Sequence, residues 1–330
     1  MPFAGFDTHK NFCQAIICTK DGTLMKQGRI KTETGSVKEF FSGFDNLEIA
    51  LEATSNYEYF YDLLESLGHK VVLAHPLKTR MIGEARVKTD KIDARILADL
   101  LRGNLLPTSY VPPKEIRELR HLVRYRIFLG RYRAILKNRI KAELRRRNLK
   151  YETGGNLYTK KGKKWLRSLG DPLIESCLRI YEIVEGELKE AERRIGEAGE
   201  RIEEVRLMST IKGIGVYSAL VIYSEIGEIE RFQTEEKAFS YAGLVPSIHQ
   251  SGEERYYGRI TKEGSKYLRW ILVEAARVHV QWCPESRITK HYEKIRVKRG
   301  ENIAMVAAAR KLLQVIYHML KNKEEYRIGG

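Results

Sequence analysis

The fold is decided by the stretch Glu84-Ala-Arg-Val-Lys-Thr-Asp90-Lys-Ile-Asp93-Ala-Arg-Ile-Leu-Ala-Asp-Leu-Leu101. Apolar residues recur at helical spacing after Thr89, so the pattern predicts an amphipathic helix that begins at Asp90. Asp90 and Asp93 lie three residues apart, which places them on one helical face at a separation suited to sharing a divalent cation. Taken alone, two acids in a first turn are also typical of helix capping and of a favourable interaction with the helix dipole.

The residues before this helix predict a mixed α/β domain. Three short runs rich in β-branched and aromatic residues, 3–8, 12–19 and 23–30, predict antiparallel strands, with a hairpin turn at residues 20–22. A helix over 35–44, a strand over 47–52, a helix over 57–67 and a strand over 70–74 follow. This β-β-β-α-β-α-β-α order resembles the ribonuclease H fold that RuvC-type resolvases share with many transposases.

In that fold the first and fourth strands are neighbours in the sheet. The resemblance therefore implies that Asp7, on the first strand, and Glu52, at the end of the fourth, converge with Asp90 and Asp93. Four carboxylates at one place raise one another's pKa unless cations bind between them. Oxygen ligands of this kind suit Mg²⁺ or Mn²⁺. Two such ions can activate a nucleophile and stabilise the leaving oxygen in phosphodiester cleavage, so we expect a magnesium site formed by these four acids.

Composition indicates a soluble, strongly basic protein. A length of 330 residues with 43% apolar residues suits two domains with packed cores, and the net charge of +16 favours a polyphosphate partner. We expect a cytoplasmic protein without a membrane partner, because no leader or apolar span is apparent. The four cysteines show no CxxC or zinc spacing, so we expect buried thiols.

Most of the net positive charge lies in one predicted helix, over residues 114–150. This stretch holds 14 Lys or Arg residues and three acids. A run of one sign repels itself unless something anionic lies against it, so nucleic acid is the favoured partner. The expected nucleic-acid contacts on this helix are Arg124, Arg131, Lys137, Arg145, Arg146 and Arg147.

The next segment has the regular periodicity of a coiled coil. After a predicted loop over 154–164, apolar residues from Ile174 to Val205 alternate steps of three and four, which indicates a heptad seam. Residues 171–206 carry 11 acids and six bases, so contact with nucleic acid is disfavoured. The seam predicts an arm that either associates with a second copy, forming a dimer or higher assembly, or packs on the basic helix.

A further domain is expected from Leu207. The sequence Ile211-Lys-Gly-Ile-Gly215 resembles a helix-hairpin-helix, in which Lys212, Gly213 and Gly215 would face a DNA phosphate. A plain helical turn is the alternative. We then predict an amphipathic helix over 265–282, a basic loop around residues 290–300 and a packing helix over 302–320.

Two groups of motifs, in the expected order along the chain, resemble one family. The first comprises Asp7, Glu52 and Thr89-Asp-Lys-Ile-Asp-Ala94, and the second comprises 213–215, Ala242-Gly-Leu-Val-Pro246, Ser251-Gly252 and Gly258-Arg-Ile-Thr-Lys262. Together they resemble the DEDD-type insertion-sequence transposases, the family numbered one-ten, whose members are bridge-RNA-guided recombinases. The family has a second small residue after the Ser-Gly pair, whereas this chain has Glu253.

The resemblance implies that Ser251 attacks a DNA phosphodiester and forms a covalent phosphoserine. A serine hydroxyl needs activation by a base or a metal. His249 is a possible base, but activation by the metal of the acid cluster is the better hypothesis. Arg255, Arg259 and Lys262 would hold the scissile phosphate or form a general basic surface. Ser247, which directly follows a proline, is the rival nucleophile.

The expected organisation is a RuvC-like domain over 1–150 that includes the basic helix 114–150, a loop and coiled-coil arm over 151–206, and a mostly α-helical transposase domain over 207–330. The expected partners are double-stranded donor and target DNA, a guide RNA and further copies of the chain. Two other functions stay open. One is a RuvC-like, structure-selective nuclease in which water attacks, and the other is a nucleic-acid-binding protein without catalysis.

Overall fold

The computed structural model describes residues 1–82, 90–151, 155–251 and 254–327, without the side chains of Arg80, Asp90, Lys91, 248–251 and 254–257. The chain divides into two compact units, Met1–Val111 and Pro112–Gly330.

The first unit is built on a mixed sheet with the strand order β3-β2-β1-β4-β5-β6. Its elements are β1 (Phe3–Thr8), β2 (Phe12–Cys18), β3 (Leu24–Lys31), α1 (Thr34–Phe41), β4 (Glu48–Glu52), α2 (Tyr57–Ser66), β5 (Lys70–Ala74), α3 (Pro76–Ile82), α4 (Asp90–Arg102) and β6 (Thr108–Ser109). The first three strands are antiparallel, while β4 runs parallel to both β1 and β5. This is the mixed α/β domain that the sequence predicted, and its sheet order is consistent with a ribonuclease H-like fold.

The two faces of the sheet are covered by different helices because side chains alternate along each strand. Ala4, Phe6, Ile49 and Leu51 pack with residues of α1 and α2 in the main core. On the other face, Ala50 and Ala74 pack with Leu97 and Leu101 of α4. Gly5 lies under α4, since a Cβ atom added there would be 1.9 Å from the Ala94 carbonyl oxygen. The glycine therefore allows α4 to lie directly on β1.

We expect Gly5→Ala to destabilise the first unit, because the clashing atom belongs to helix backbone and cannot rotate away. Overpacking typically costs about 1–3 kcal/mol, and this contact belongs at the upper end of that range. Thermal unfolding followed by circular dichroism measures the effect. Gly35→Ala is the matched control, since an added Cβ at Gly35 meets nothing within 4 Å. Equal melting temperatures for the two variants would contradict this account of the packing.

The second unit begins with two long helices that form an arm. After α5 (Lys114–Arg146) come α6 (Lys160–Ser168) and α7 (Pro172–Glu200). The seam of α7 packs against Leu129, Leu136, Ile140 and Leu144 of α5. Of the two partners that the heptad pattern allowed, the structure thus places the basic helix of the same chain on the seam. The seam gives no support to the predicted self-association.

The remaining helices enclose the larger core of the second unit. They are α8 (Glu203–Ser209), α9 (Val216–Ile226), α10 (Glu235–Tyr241), α11 (Lys266–Trp282), α12 (Arg287–Arg299) and α13 (Glu301–Asn322), with a hairpin of β7 (Pro246–Ser251) and β8 (Glu254–Ile260) before α11. By length and composition α13 could cross a membrane, but 56% of its apolar window is buried inside this unit, as in the core helix of a soluble protein.

Two predictions of loops were wrong. The basic stretch near residues 290–300 is helix α12, which begins after Ser286, whose hydroxyl accepts a hydrogen bond from the Thr289 amide. The predicted loop over 154–164 ends early because Thr159 caps α6, with its hydroxyl accepting from the Gly162 amide. Thr159 and Ser286 are residue types that favour the first position of a helix. The many basic residues that follow each of them led to the prediction of loops.

Candidate active site

The ends of two parallel strands place two of the predicted acids side by side. Phe6 of β1 lies opposite Leu51 of β4, and Asp7 and Glu52 are the next residues on the two strands. Because side chains alternate, Asp7 projects from the same face as Gly5, and Glu52 from the same face as Ala50. That is the face covered by α4.

Helix α4 runs antiparallel to β1 across this face. Arg95, in the middle of the helix, and Arg102, at its carboxyl end, donate to the carbonyls of Gly22 and Lys20 in the turn between β2 and β3. Ala94 lies over Gly5, so the first turn of the helix lies toward the end of β1 that carries Asp7. Asp90 is the first residue of α4, and Asp93 follows one turn later. The side chain of Asp90 is outside the described residues.

Asp7 is buried at this end of the sheet. It is 1% exposed, and its Oδ2 atom lies 3.0 Å from Nε2 of His9. Its Oδ1 atom is buried without a hydrogen-bond partner among the described residues. A buried carboxylate oxygen in this condition is costly unless a cation or another donor reaches it. Among the described side chains, which exclude that of Asp90, no three His, Cys, Asp and Glu residues are grouped closely enough to hold a metal. The predicted ligands Asp7, Glu52 and Asp93 therefore fit a metal ion only if the Asp90 carboxylate also contributes.

His9 and a small hydrogen-bond network near the acids were not predicted from the sequence. His9 contacts Asp7 and stacks on Phe12, with ring centroids 4.7 Å apart. Thr8 and Thr54 both donate to Oδ1 of Asn56, at 3.2 and 2.7 Å, which ties together the residues that follow Asp7 and Glu52. His9 could have been predicted, because a residue two positions after Asp7 on a strand projects from the same face. The hydrogen bonds among Thr8, Thr54 and Asn56 could not, because they depend on the pairing of β1 with β4 and no nearby sequence feature indicates them.

The candidate serines occupy different positions on the β7–β8 hairpin. Ser251 is the last residue of β7 and pairs with Glu254, the first residue of β8. Ser247 is half-buried near the base, where the strand register shifts between Pro246 and Ile248. The side chains of Ser251 and Arg255 lie outside the described residues. Arg259 and Lys262 are exposed on the returning strand and the segment after it.

The base of this hairpin is fixed by close backbone contacts. Gly243 and Gly264 have φ angles of +64° and +97°, and added Cβ atoms would lie 2.3 Å from the Glu263 oxygen and 2.0 Å from the Tyr241 oxygen. The Thr261 amide donates to the Val245 carbonyl at 2.9 Å. The motif over residues 242–246 and the segment that directly follows the motif 258–262 thus meet at the base of the hairpin that carries Ser251.

A buried ion pair joins this base to the basic helix. Glu225 is 1% exposed, and its two carboxylate oxygens accept from Nε and Nη2 of Arg124 at 2.7 and 2.9 Å. Ser265, the N-cap of α11, also donates to Glu225, at 2.8 Å. Arg124 was predicted to contact nucleic acid, but its guanidinium pairs with Glu225 within the second unit. The pair links residues far apart in the chain, and nothing in the local sequence indicates it.

Several other predicted nucleic-acid contacts have internal partners as well. Lys137 lies 4.7 Å from the ring centroid of Tyr158, and burial lowers its pKa. Arg146 and Arg147 pair with Glu143, and hydrogen bonding from Arg146 helps to lower the Glu143 pKa to about 2. The Arg131 guanidinium lies 5.7 Å from the ring centroid of Tyr267, and Arg145 is exposed.

The glycine turn before α9 packs against α11. Gly213 has a φ of +102°, and an added Cβ would lie 2.8 Å from the Ala275 oxygen. His279, which is fully buried, donates through Nδ1 to the Lys212 carbonyl at 2.8 Å, because a carbonyl can only accept. Its Nε2 lies 2.9 Å from the Ser286 hydroxyl. Gly213 is thus explained by packing, whereas the Lys212 side chain and Gly215 are exposed.

We expect His279 to make the protein less stable in acid. Burial lowers its pKa, with the bond to Lys212 opposing the shift. As the pH falls below about 6.5, the unfolded chain binds a proton that native His279 does not, so stability is lost by up to about 1.4 kcal/mol per pH unit. Urea unfolding at pH 7.5 and 5.5 measures this loss, and His279→Asn should reduce it. Burial also lowers the pKa of His69 and His291, so part of the loss of stability in acid should persist in the variant. A pH dependence equal to that of the wild type would contradict the role of His279.

Comparisons with known proteins agree with this architecture. A sequence model described as "Transposase IS116/IS110/IS902 family" matches residues 205–293, and a second model, of an IS110 DEDD transposase domain, matches residues 4–148. The second match includes the basic helix, which packs within the second structural unit.

Related proteins match along most of their length. A probable family 20 transposase of Pseudomonas aeruginosa is 26% identical over 321 residues, which cover 91% of this chain and 92% of that protein. The transposase for insertion sequence element IS1111A of Coxiella burnetii is 24% identical over 291 residues, covering 86% and 80%. A pilin gene-inverting protein of Moraxella lacunata is 25% identical over 336 residues, covering 98% and 97%. Because models of two domains of the family match in order along the chain, this chain belongs to the IS110 family of transposases.

Proposed function

We propose that this transposase cuts and rejoins DNA through a covalent bond between Ser251 and a DNA phosphate, guided by an RNA and assisted by Mg²⁺ at the acid cluster. The observation that carries the metal part of the proposal is the buried Asp7 carboxylate, whose Oδ1 has no hydrogen-bond partner among the described residues. It lies where the ends of β1 and β4 meet the first turn of α4. Asp7, Glu52, Asp90 and Asp93 would hold the ion.

A bound Mg²⁺ or Mn²⁺ supplies positive charge that stabilises the oxygens of a phosphate during displacement. The remaining chemistry belongs to the chain and the DNA. The Ser251 hydroxyl oxygen forms a bond to phosphorus and loses its proton, while a deoxyribose oxygen leaves with the bonding electron pair and gains a proton. One phosphoester replaces another, so a new DNA end can reverse the step and rejoin without an external energy source.

Cationic side chains near the serine hairpin would hold the DNA phosphate. Arg259 and Lys262 are exposed, and Arg255 is the second residue of β8, opposite Gln250. Arg131, Arg145 and Lys212 remain candidates for backbone contacts to DNA or RNA. Base-specific contacts should be few if the guide RNA reads the sequence by pairing, which leaves the protein to recognise backbone and RNA shape.

The RNA part of the proposal is tested with purified protein, donor and target plasmids, Mg²⁺ and RNA transcribed from the DNA that flanks the gene. We expect joined products only when the RNA is present. Changing the RNA segment that pairs with the target should redirect joining to the matching new target. Equal joining without RNA, or joining that ignores the changed segment, would refute RNA guidance while leaving the serine chemistry open.

A further inference from the structure

His9 is held in one position by contacts that do not involve the acids. Its backbone amide donates to the Phe12 carbonyl at 2.9 Å, and the Thr32 hydroxyl donates to the His9 carbonyl at 3.1 Å. The imidazole stacks on the Phe12 ring with an interplanar angle of 29°. The Arg29 guanidinium lies 3.7 Å from the centroid of that ring. The backbone and the ring of His9 are therefore both fixed in the turn between β1 and β2.

The fixed imidazole distinguishes the two oxygens of the Asp7 carboxylate. Oδ2 lies 3.0 Å from Nε2 of His9, whereas Oδ1 is buried without a hydrogen-bond partner among the described residues. An ionised carboxylate can only accept, so Nε2 carries a proton and donates it. A donor on one oxygen restricts the rotation of the carboxylate about its bond to Cβ. The direction of the second oxygen is thereby fixed as well.

We infer that His9 is a positioning residue for the proposed metal site, in which its Nε2–H group holds Asp7 so that Oδ1 faces the cation. The inference rests on the proposed function, because it requires Asp7 to bind the cation. A ring nitrogen that carries a proton has no lone pair for a metal, so Nε2 acts through the carboxylate and is not itself a ligand. Hydrogen-bond partners of ligating carboxylates orient them, and the loss of one typically lowers metal affinity about 10–100-fold.

A purely structural pair, which serves only to close the turn, is the alternative to weigh. Two observations favour the positioning role. The turn is already closed by the hydrogen bonds of the His9 amide and the His9 carbonyl. The contact with Asp7 also joins unequal environments, since the His9 side chain is 38% exposed and the Asp7 side chain 2%. A carboxylate buried to this extent needs a donor or a cation on each oxygen, and His9 supplies one of the two.

Two substitutions separate the donor from the ring. His9→Phe keeps an aromatic ring that can stack on Phe12 but removes the donor. His9→Gln loses the ring, but its side-chain amide nitrogen lies at nearly the distance of Nε2 from Cα and can donate to Asp7. His318→Phe is the matched control, because Nε2 of His318 lies 2.7 Å from a carboxylate oxygen of Glu235 in the second unit. It removes the same kind of pair from outside the first unit.

The measurement is the melting temperature of the full-length protein, without nucleic acid, as Mn²⁺ is added. The increase over each variant's own metal-free melting temperature gives the dissociation constant of the ion. We expect His9→Phe to raise this constant about 10–100-fold and His9→Gln to recover most of the loss. His318→Phe should bind Mn²⁺ as the wild type does. In DNA cleavage, His9→Phe should need correspondingly more Mg²⁺ for half of its maximal rate, while the rate at saturating Mg²⁺ is retained.

A wild-type affinity for Mn²⁺ in His9→Phe would overturn the inference. Equal losses of affinity in His9→Phe and His9→Gln would also overturn it, because the donor would then not be the cause. A cleavage rate that His9→Phe loses even at saturating Mg²⁺ would show that His9 does not act by positioning Asp7. A wild type whose melting temperature does not respond to Mn²⁺ would instead refute the proposed metal site, and the inference with it.

Discussion

Asp7→Asn is expected to abolish metal-dependent DNA cleavage while leaving the protein folded. The substitution keeps the shape of the side chain but removes the charge that would bind the cation. Loss of a directly acting electrostatic group typically costs at least about 100-fold in rate. The same change removes a buried charge whose Oδ1 has no hydrogen-bond partner among the described residues, so stability should be unchanged or higher. A purely structural Asp7 would instead lower stability when substituted.

The measurements are cleavage of labelled DNA and melting temperature with and without Mn²⁺. Bound metal should raise the wild-type melting temperature, because a ligand that binds only the folded state stabilises it. That increase should vanish in Asp7→Asn. Asp99→Asn is the control, since Asp99 forms an ion pair with Arg95 at the surface of α4. Retained cleavage in Asp7→Asn, or an equal loss in Asp99→Asn, would contradict the proposed metal site.

Arg124→Ala is expected to destabilise the second unit strongly. It leaves the Glu225 carboxylate, which is 1% exposed, without its two strongest hydrogen bonds. Breaking one side of a buried pair typically costs about 3–5 kcal/mol. The Arg124 side chain is itself 38% exposed, so the lower end of that range applies. Chemical unfolding measures this loss, and the hairpin that carries Ser251 should become more susceptible to proteolysis.

A double-mutant cycle separates the ion pair from the packing of the arginine stem. Arg124→Met with Glu225→Leu should be less destabilised than the sum of the two single changes, because no charge is left buried alone. Arg193→Ala provides the comparison, as Arg193 is 56% exposed and pairs with exposed glutamates; such pairs are worth about 0.2–1 kcal/mol. Additive single effects would show that Arg124 and Glu225 do not act as a pair.

The sheet of the first unit was predictable because its signals are local. Alternating apolar residues, a hairpin turn and short buried runs gave the strands close to their observed bounds. The neighbouring positions of β1 and β4, and therefore of Asp7 and Glu52, followed from the resemblance of the strand order. The helix that begins at Asp90 was also predicted at its first residue.

The second unit was less predictable because its contacts join distant parts of the chain. The heptad pattern identified α7 but left two possible partners, and only the structure places α5 on the seam. Arg124 looked like a nucleic-acid contact because it belongs to a basic run, yet it pairs with Glu225, which is 101 residues away. Charge density alone cannot distinguish a cation that faces solvent from one that neutralises a buried acid.

The central proposal is tested most directly by detecting a covalent protein–DNA adduct on a denaturing gel. The reaction contains donor and target DNA, the guide RNA and Mg²⁺, with wild type, Ser247→Ala and Ser251→Ala compared. We predict an adduct for wild type and Ser247→Ala, and none for Ser251→Ala or without Mg²⁺. Metal-dependent nicking that gives no adduct and is unchanged by Ser251→Ala would mean that water is the nucleophile and that the proposed serine mechanism is wrong.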